Sequence, residues 1–199
     1  MDLMKKHIIG LTGLACTGKT EAKEIMRELG VEVIHADGIV HELLNTKEVT
    51  ESIASAFTED VLLPDCTLDR KKLARIVFGN VDALRRLEAI LHPLVRQHIG
   101  TAANTFFSDD NPARALVLEV PLLFRSGIDK YCDVIWLLES SFEVRLVRAK
   151  SRGWDEAELC RRDEHADDFS KLGNVVRVYN NGNLNQFRRT IIQLWRGLT

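Results

Sequence analysis

Residues 7–22 read HIIGLTGLACTGKTEA. The first six are apolar and β-branched, as in a fully buried strand. Behind them Gly13, Gly18, Lys19 and Thr20 stand at the spacing G-x-x-x-x-G-K-[ST]. Glycines let the backbone curl so that successive N–H groups point at phosphate oxygens, and the helix that follows adds its positive end. Lys19 is long enough to reach β- and γ-phosphates, and the Thr20 hydroxyl can ligate Mg²⁺. Because the stretch lies between a strand and a helix, Gly13, Leu14, Ala15, Cys16, Thr17 and Gly18, with Lys19, Thr20 and Glu21, read as a loop that holds nucleotide phosphates.

Outward from this loop, a helix is expected from Gly18 to about Leu29, capped at Gly30. The segment VEVIHA (31–36) then reads as a second strand. Residues 37–107 are mostly helical in pattern, with LDRKKLARIVF (68–78) and ALRRLEAILHPLVRQHI (83–99) both amphipathic. Pro93 predicts a kink or break near His92. ARALVLEVPLLF (113–124), DVIWLLE (133–139) and NVVRVYN (174–180) supply a third, fourth and fifth strand. Between the last two, residues 142–151 look helical and 152–171 read as a mobile helical excursion. LNQFRRTIIQLWRGL (184–198) is a closing amphipathic helix. Strands alternating with helices argue for a parallel sheet covered on both faces.

The chain has 199 residues, of which 45% are hydrophobic and 28% charged, and a formal net charge of −2. That is enough for one α/β domain with a real core, and it provides no overall field to recruit nucleic acid or an anionic membrane. Cys16, Cys66, Cys132 and Cys160 show no CxxC pair and no zinc-type spacing, so reduced thiols in a cytoplasmic protein are expected. The apolar run after Lys5 and Lys6 is too short for a secretory signal, and no segment has the length of a membrane span. Trp136, Trp154 and Trp195 read as packing residues. A monomer or weak homo-oligomer acting on a small molecule is expected.

Two segments bear on what receives the phosphoryl group. Asp37 follows the second strand, at the end of a sheet where α/β proteins bind ligands. It could take a proton from an attacking hydroxyl or help organise the metal, and on local sequence it serves equally well as a helix N-cap. Arg145, Arg148, Arg152, Arg161 and Arg162 make the segment 143–168 rich in arginine, a group suited to transferring phosphates. Alone, that segment reads first as a solvated face paired with Glu143, Asp155, Glu156 and Glu158. Opposite a phosphate loop, it reads as a positive flap that excludes water.

Over most of its length the chain resembles the dephospho-coenzyme A kinases. The resemblance is carried by GLTGLACTGKT, VIHADGIVHELL, LDRKKLARIVFGN, LEAILHPLV, VLEVPLLFRSGI and VYNNG. It implies a P-loop kinase with a five-stranded parallel sheet covered by helices on both faces. Helical acceptor-binding and lid subdomains are implied as well: a core at roughly 1–37, 113–151 and 172–199, an acceptor-binding insert at roughly 38–112 and a lid at roughly 152–171. The implied substrates are ATP, with Mg²⁺, and dephospho-coenzyme A. Asp37 matches the second aspartate of the family's Asp-x-Asp pair, the base toward the ribose 3′-hydroxyl. Lys19 and Arg148 match residues that bear on the ATP phosphates, and Thr20 the metal ligand. Asn180 and Gly182 match the loop near the adenine, and His92, Pro121 and Leu122 segments near the acceptor.

The chain departs from the family pattern at several positions. His35 stands where the first aspartate is usual, His41 replaces a common arginine and Arg125 a common glutamate. Glu21 replaces a hydroxyl residue, and Leu14 and Cys16 replace small residues of the loop. Tyr179 stands where an acid is frequent. If His35 lies beside the phosphates, their charge would favour its protonated form. The reading that follows is dephospho-coenzyme A kinase. The alternatives are a P-loop kinase for another small acceptor, or a nucleotide-binding homologue that has lost catalysis.

Overall fold

A computed structural model describes residues 6–57, 60–108, 110–169, 172 and 175–198. Five strands form one parallel sheet in the order β2-β3-β1-β4-β5. They are β1 (His7–Thr12), β2 (Glu32–His35), β3 (Ala115–Glu119), β4 (Val134–Glu139) and β5 (Val176–Tyr179). β1 lies in the middle, with Gly10 level with Leu118 on one side and Ile135 on the other. The near-continuous apolar runs of β1, β3 and β4 match a sheet buried on both faces.

One face is covered by α1 (Lys19–Glu28) and α8 (Leu184–Arg196). Ala22, Ile25 and Met26 from the first, and Phe187, Ile191 and Trp195 from the second, pack with Ile9, Leu11, Val117, Trp136 and Leu138. Their three- and four-residue spacing is the apolar stripe of a helix laid on a sheet. α8 starts with a reciprocal capping box between Asn183 and Gln186. On the opposite face a Cβ at Gly10 would press on Cys132 and Leu123, so the segment after β3 is packed close there. Burial, with Asp129 and Asp133 nearby, pushes the Cys132 thiol up to about 12, and the four cysteines are free.

The chain divides into two compact units, Met1–His35 with Ala102–Thr199, and Ala36–Thr101. The second contains α2 (Ala36–Leu43), α3 (Lys47–Ala56), α4 (Arg70–Gly79) and most of α5 (Val81–Phe107). α4 is capped by Asp69, whose side chain accepts from the Lys72 amide. α5 runs without a break through Pro93, so of the kink or break expected near His92 the break does not occur. Proline removes one backbone bond there, whereas Leu91, Val95, Ile99, Ala103 and Phe106 keep a buried stripe running on both sides of it.

α6 (Phe142–Lys150) and α7 (Glu156–Glu164) connect β4 to β5. Much of the polar segment after residue 151 is thus a regular helix with its own small core. Leu159 is fully buried with Ala149 and Cys16, and Trp154 packs against them. The Arg162 guanidinium lies 3.9 Å from the centre of the Trp154 ring. Trp136 and Trp195 are core residues. Among the described residues no helix is long and apolar enough to cross a membrane.

Leu118, at 0% exposure on the central part of the sheet, is a sensitive point. Leu118→Ala is expected to cost about 3 kcal/mol and to lower Tm by roughly 10 °C in a thermal melt.

Candidate active site

The phosphate loop spans the six residues between β1 and α1. Gly13 (φ +141°) and Gly18 (φ +104°) take conformations that side chains oppose, and a Cβ at either would collide, with the Leu138 carbonyl or the Asn180 amide respectively. Cys16 takes a left-handed conformation as well, at φ +63°. The N-cap of α1 is Gly18, which has no side chain to bond the first amides of the helix. Thr20 is exposed and Glu21 half-buried in that first turn.

The outward side of the loop is fully engaged. Lys19 Nζ donates to the carbonyls of Gly13 at 2.6 Å and Leu14 at 2.9 Å. Arg145 Nη1 donates to Ala15 at 3.3 Å, and Arg148 Nη1 to Cys16 at 3.2 Å. Asn180 Nδ2 donates to Thr17 at 2.9 Å, and the Gly18 carbonyl accepts from the Ala22 amide. Six consecutive carbonyls thus have donors, four of them charged or amide side chains.

Arg148 is half-buried on α6 and bonded on several sides. Besides Cys16 it donates to Ser140 Oγ at 3.0 Å and to the Asn180 carbonyl at 3.0 Å, while Ser140 itself donates to that carbonyl at 2.7 Å. Burial lowers the pKa of its guanidinium from the ordinary value, which Cys16 partly offsets and Arg152 reinforces. Arg145, 5% exposed, also grips Asp163 of α7 through two bonds of 2.8 Å. The side chain of Asn180 is committed to the loop and Arg148. Gly182 sits where a Cβ would strike Gln186 of the capping box.

At the C-terminal ends of β2 and β3, His35 and Glu119 stand level with each other. Their side chains bond to each other, and Lys23 donates to Glu119 at 2.6 Å. The family's acid-bearing position at 35 is therefore part of a protein-internal network. Pro121 and Leu122 open the turn after β3. Asp167 caps that turn, accepting from the amides of Phe124 at 2.9 Å and Arg125 at 3.3 Å.

In the second unit, Asp37 lies in the first turn of α2 with its side chain exposed. Arg70, at the start of α4, donates to His41 Nδ1 at 2.7 Å, to the His41 carbonyl at 3.0 Å and to Asn45 Oδ1 at 2.8 Å. Its fork holds the end of α2 in place. His92 is half-buried on α5, one residue before Pro93.

Ser140, Lys23 and Glu119 were not singled out in the sequence. Glu119 had a signal, a lone acid closing an apolar strand, and Lys23 another, a cation inside the buried stripe of α1. Ser140 had none.

Two measurements probe this arrangement. Asn180→Ala is expected to weaken nucleoside triphosphate binding about tenfold by calorimetry, the equivalent of one lost buried hydrogen bond. In Glu119, burial opposes ionisation but the Lys23 and His35 contacts outweigh it, holding its carboxyl below the ordinary 4.5. Its stabilisation is present above the unfolded-state value and lost as pH falls through the folded one. Glu119→Gln is therefore expected to be less stable than the parent at neutral pH, in a denaturant titration, with the gap closing under acid.

A family model described as Dephospho-CoA kinase matches residues 7–183. A dephospho-CoA kinase of Symbiobacterium thermophilum is 38% identical over 96% of this chain and 80% of its own length. One from Geobacter metallireducens is 36% identical, with 95% of each chain covered. Among solved structures, one from Thermus thermophilus superposes with a TM-score of 0.81 at 26% identity, covering 98% of this chain and 99% of that one. A dephospho-CoA kinase from Campylobacter jejuni shares the fold, with a TM-score of 0.68 at 24% identity over 97% of each chain. With the phosphate loop built as above and the match running through nearly the whole chain, this protein belongs to the dephospho-CoA kinase family.

Proposed function

We propose that the chain transfers the γ-phosphoryl group of ATP to the ribose 3′-hydroxyl of dephospho-coenzyme A, giving coenzyme A and ADP. The observation that carries this reading is the phosphate loop, whose carbonyls from Gly13 to Gly18 all have donors and which leads through Gly18 into α1, within a chain of this family.

In this reading the loop amides and Lys19 hold the β- and γ-phosphates. Lys19 exchanges its carbonyl partners for phosphate oxygens as the nucleotide enters. Asp37 orients the 3′-hydroxyl and accepts its proton as the oxygen attacks the γ-phosphorus. The bond to the β-phosphate oxygen breaks in line, and ADP carries away the electron pair. Arg148 supports the transfer through the loop carbonyl and Asn180, which its guanidinium holds. Asn180 and Gly182 border the adenine, and His92, Pro121 and Leu122 border the acceptor. The helices of residues 36–101 take the coenzyme A moiety, and the α7 segment serves as the lid.

Mg²⁺ fits the donors present. Thr20 offers an exposed hydroxyl at the head of α1, and among the described residues no three His, Cys, Asp or Glu side chains gather into a metal cage. A hard cation held mostly by phosphate and water needs little more. Bound there, it would neutralise charge on the β- and γ-oxygens.

Purified protein supplied with ATP, Mg²⁺ and dephospho-coenzyme A is expected to form coenzyme A. Lys19→Ala is expected to lower kcat at least about 100-fold, and Asp37→Asn about 100- to 10,000-fold with little effect on the KM for ATP. Product formation no faster than in the Lys19→Ala control would refute the assignment. Transfer to a different acceptor, or ATP binding without turnover on any acceptor, would favour the corresponding alternative.

A further inference from the structure

A second polar cluster closes the edge of the first unit where β2 and β3 end. Arg27 Nη2 lies 2.9 Å from His35 Nε2. His35 Nδ1 lies 2.6 Å from Glu119 Oε2, and Lys23 Nζ lies 2.6 Å from that same oxygen and 3.1 Å from Nδ1 itself. The proton positions follow from the partners. A guanidinium has no acceptor, so Nε2 must accept and the ring proton sits on Nδ1, where the carboxylate oxygen at 2.6 Å takes it; the Lys23 ammonium, a donor only, then makes its bond to Glu119 and none to Nδ1. The ring is therefore neutral, with its Nδ1–H donating to Glu119. Arg27, His35 and Glu119 form a directed chain, and Lys23 meets it on the final oxygen.

The network is partly shielded from water. Lys23 is 7% exposed, and the Glu119 side chain 15%. Burial alone would resist the Glu119 charge, but Lys23 and then His35 hold its carboxyl below the ordinary range. With both donors on one oxygen, the acid acts as an internal fastener. An aspartate at position 35 would place a carboxylate against this carboxylate, whereas an imidazole supplies the donor that the site needs.

The position of His35 gives this fastener its significance. It is the last residue of β2 and of the first unit's N-terminal segment, α2 begins at the next residue, and Asp37 lies in its first turn. We propose that His35 is a positioning residue for phosphoryl transfer: its ring ties the end of β2 to β3 and α1, so that the helix carrying Asp37 starts from a fixed point. This rests on the role given to Asp37 above. The ring touches no substrate in this account and acts only through where α2 begins.

Steady-state kinetics on two variants, together with ¹⁵N NMR of the parent, test it. In His35→Ala, kcat for coenzyme A formation is expected to fall about tenfold or more while the KM for ATP stays within about twofold, as for a misplaced catalytic group. In His35→Asn the amide nitrogen takes the place of Nδ1, and most of the loss is expected to be recovered. An unchanged kcat in His35→Ala, a loss confined to thermal stability, or an equal loss in both variants would overturn the proposal. The ring ¹⁵N shifts of the parent at neutral pH are expected to show Nδ1 protonated and Nε2 bare; the opposite tautomer or a charged ring would overturn the network itself. A parent enzyme that makes no coenzyme A would count against the proposed function, while the ring spectrum still reads the network independently.

Discussion

A loop that turns its amides toward one point must turn its carbonyls away from it, and every carbonyl so turned needs a donor. In this protein the donors come from across the fold: Lys19 from the helix behind the loop, Arg145 and Arg148 from α6, and Asn180 from the end of β5. The central position of β1 makes this possible, because a loop leaving the middle of the sheet is flanked by the ends of the other strands. The parallel arrangement, the buried strands and the two helices against one face are thus the setting in which those donors converge.

The same economy appears at α6 and α7. Arg145 joins the Ala15 carbonyl to Asp163, and Cys16 shares a small apolar core with Ala149 and Leu159. The phosphate loop and the helical segment after β4 are therefore in direct mechanical contact. A movement of α7 would be felt at Ala15 through a single guanidinium.

Most of the fold was legible in the sequence, because its signals are local. HIIGLT, ALVLE and VIWLLE are apolar runs of strand length, and the stripe of α8 is a helical period with a cap in front. Lys19 and Thr20 were legible from spacing alone. What could not be read was how side chains distant in sequence divide the polar work. Arg148 and Asn180 matched residues expected near the nucleotide, and no local pattern announces that their donors reach the loop's carbonyls. Nor could the sequence show that the ring of His35 is engaged by Arg27 and Glu119. At Pro93 the sequence allowed a kink or a break, and the helix is not broken there, because a buried stripe runs on past the lost backbone bond.

The donors to the loop carry a temporal consequence. Arg145, Arg148 and Asn180 lie 130, 132 and 163 positions beyond the carbonyls that they hold. During synthesis the glycine-rich turn leaves the ribosome well ahead of these donors, the last of which follows β5. A chain released before position 180 would therefore lack the side chain that holds the Thr17 carbonyl.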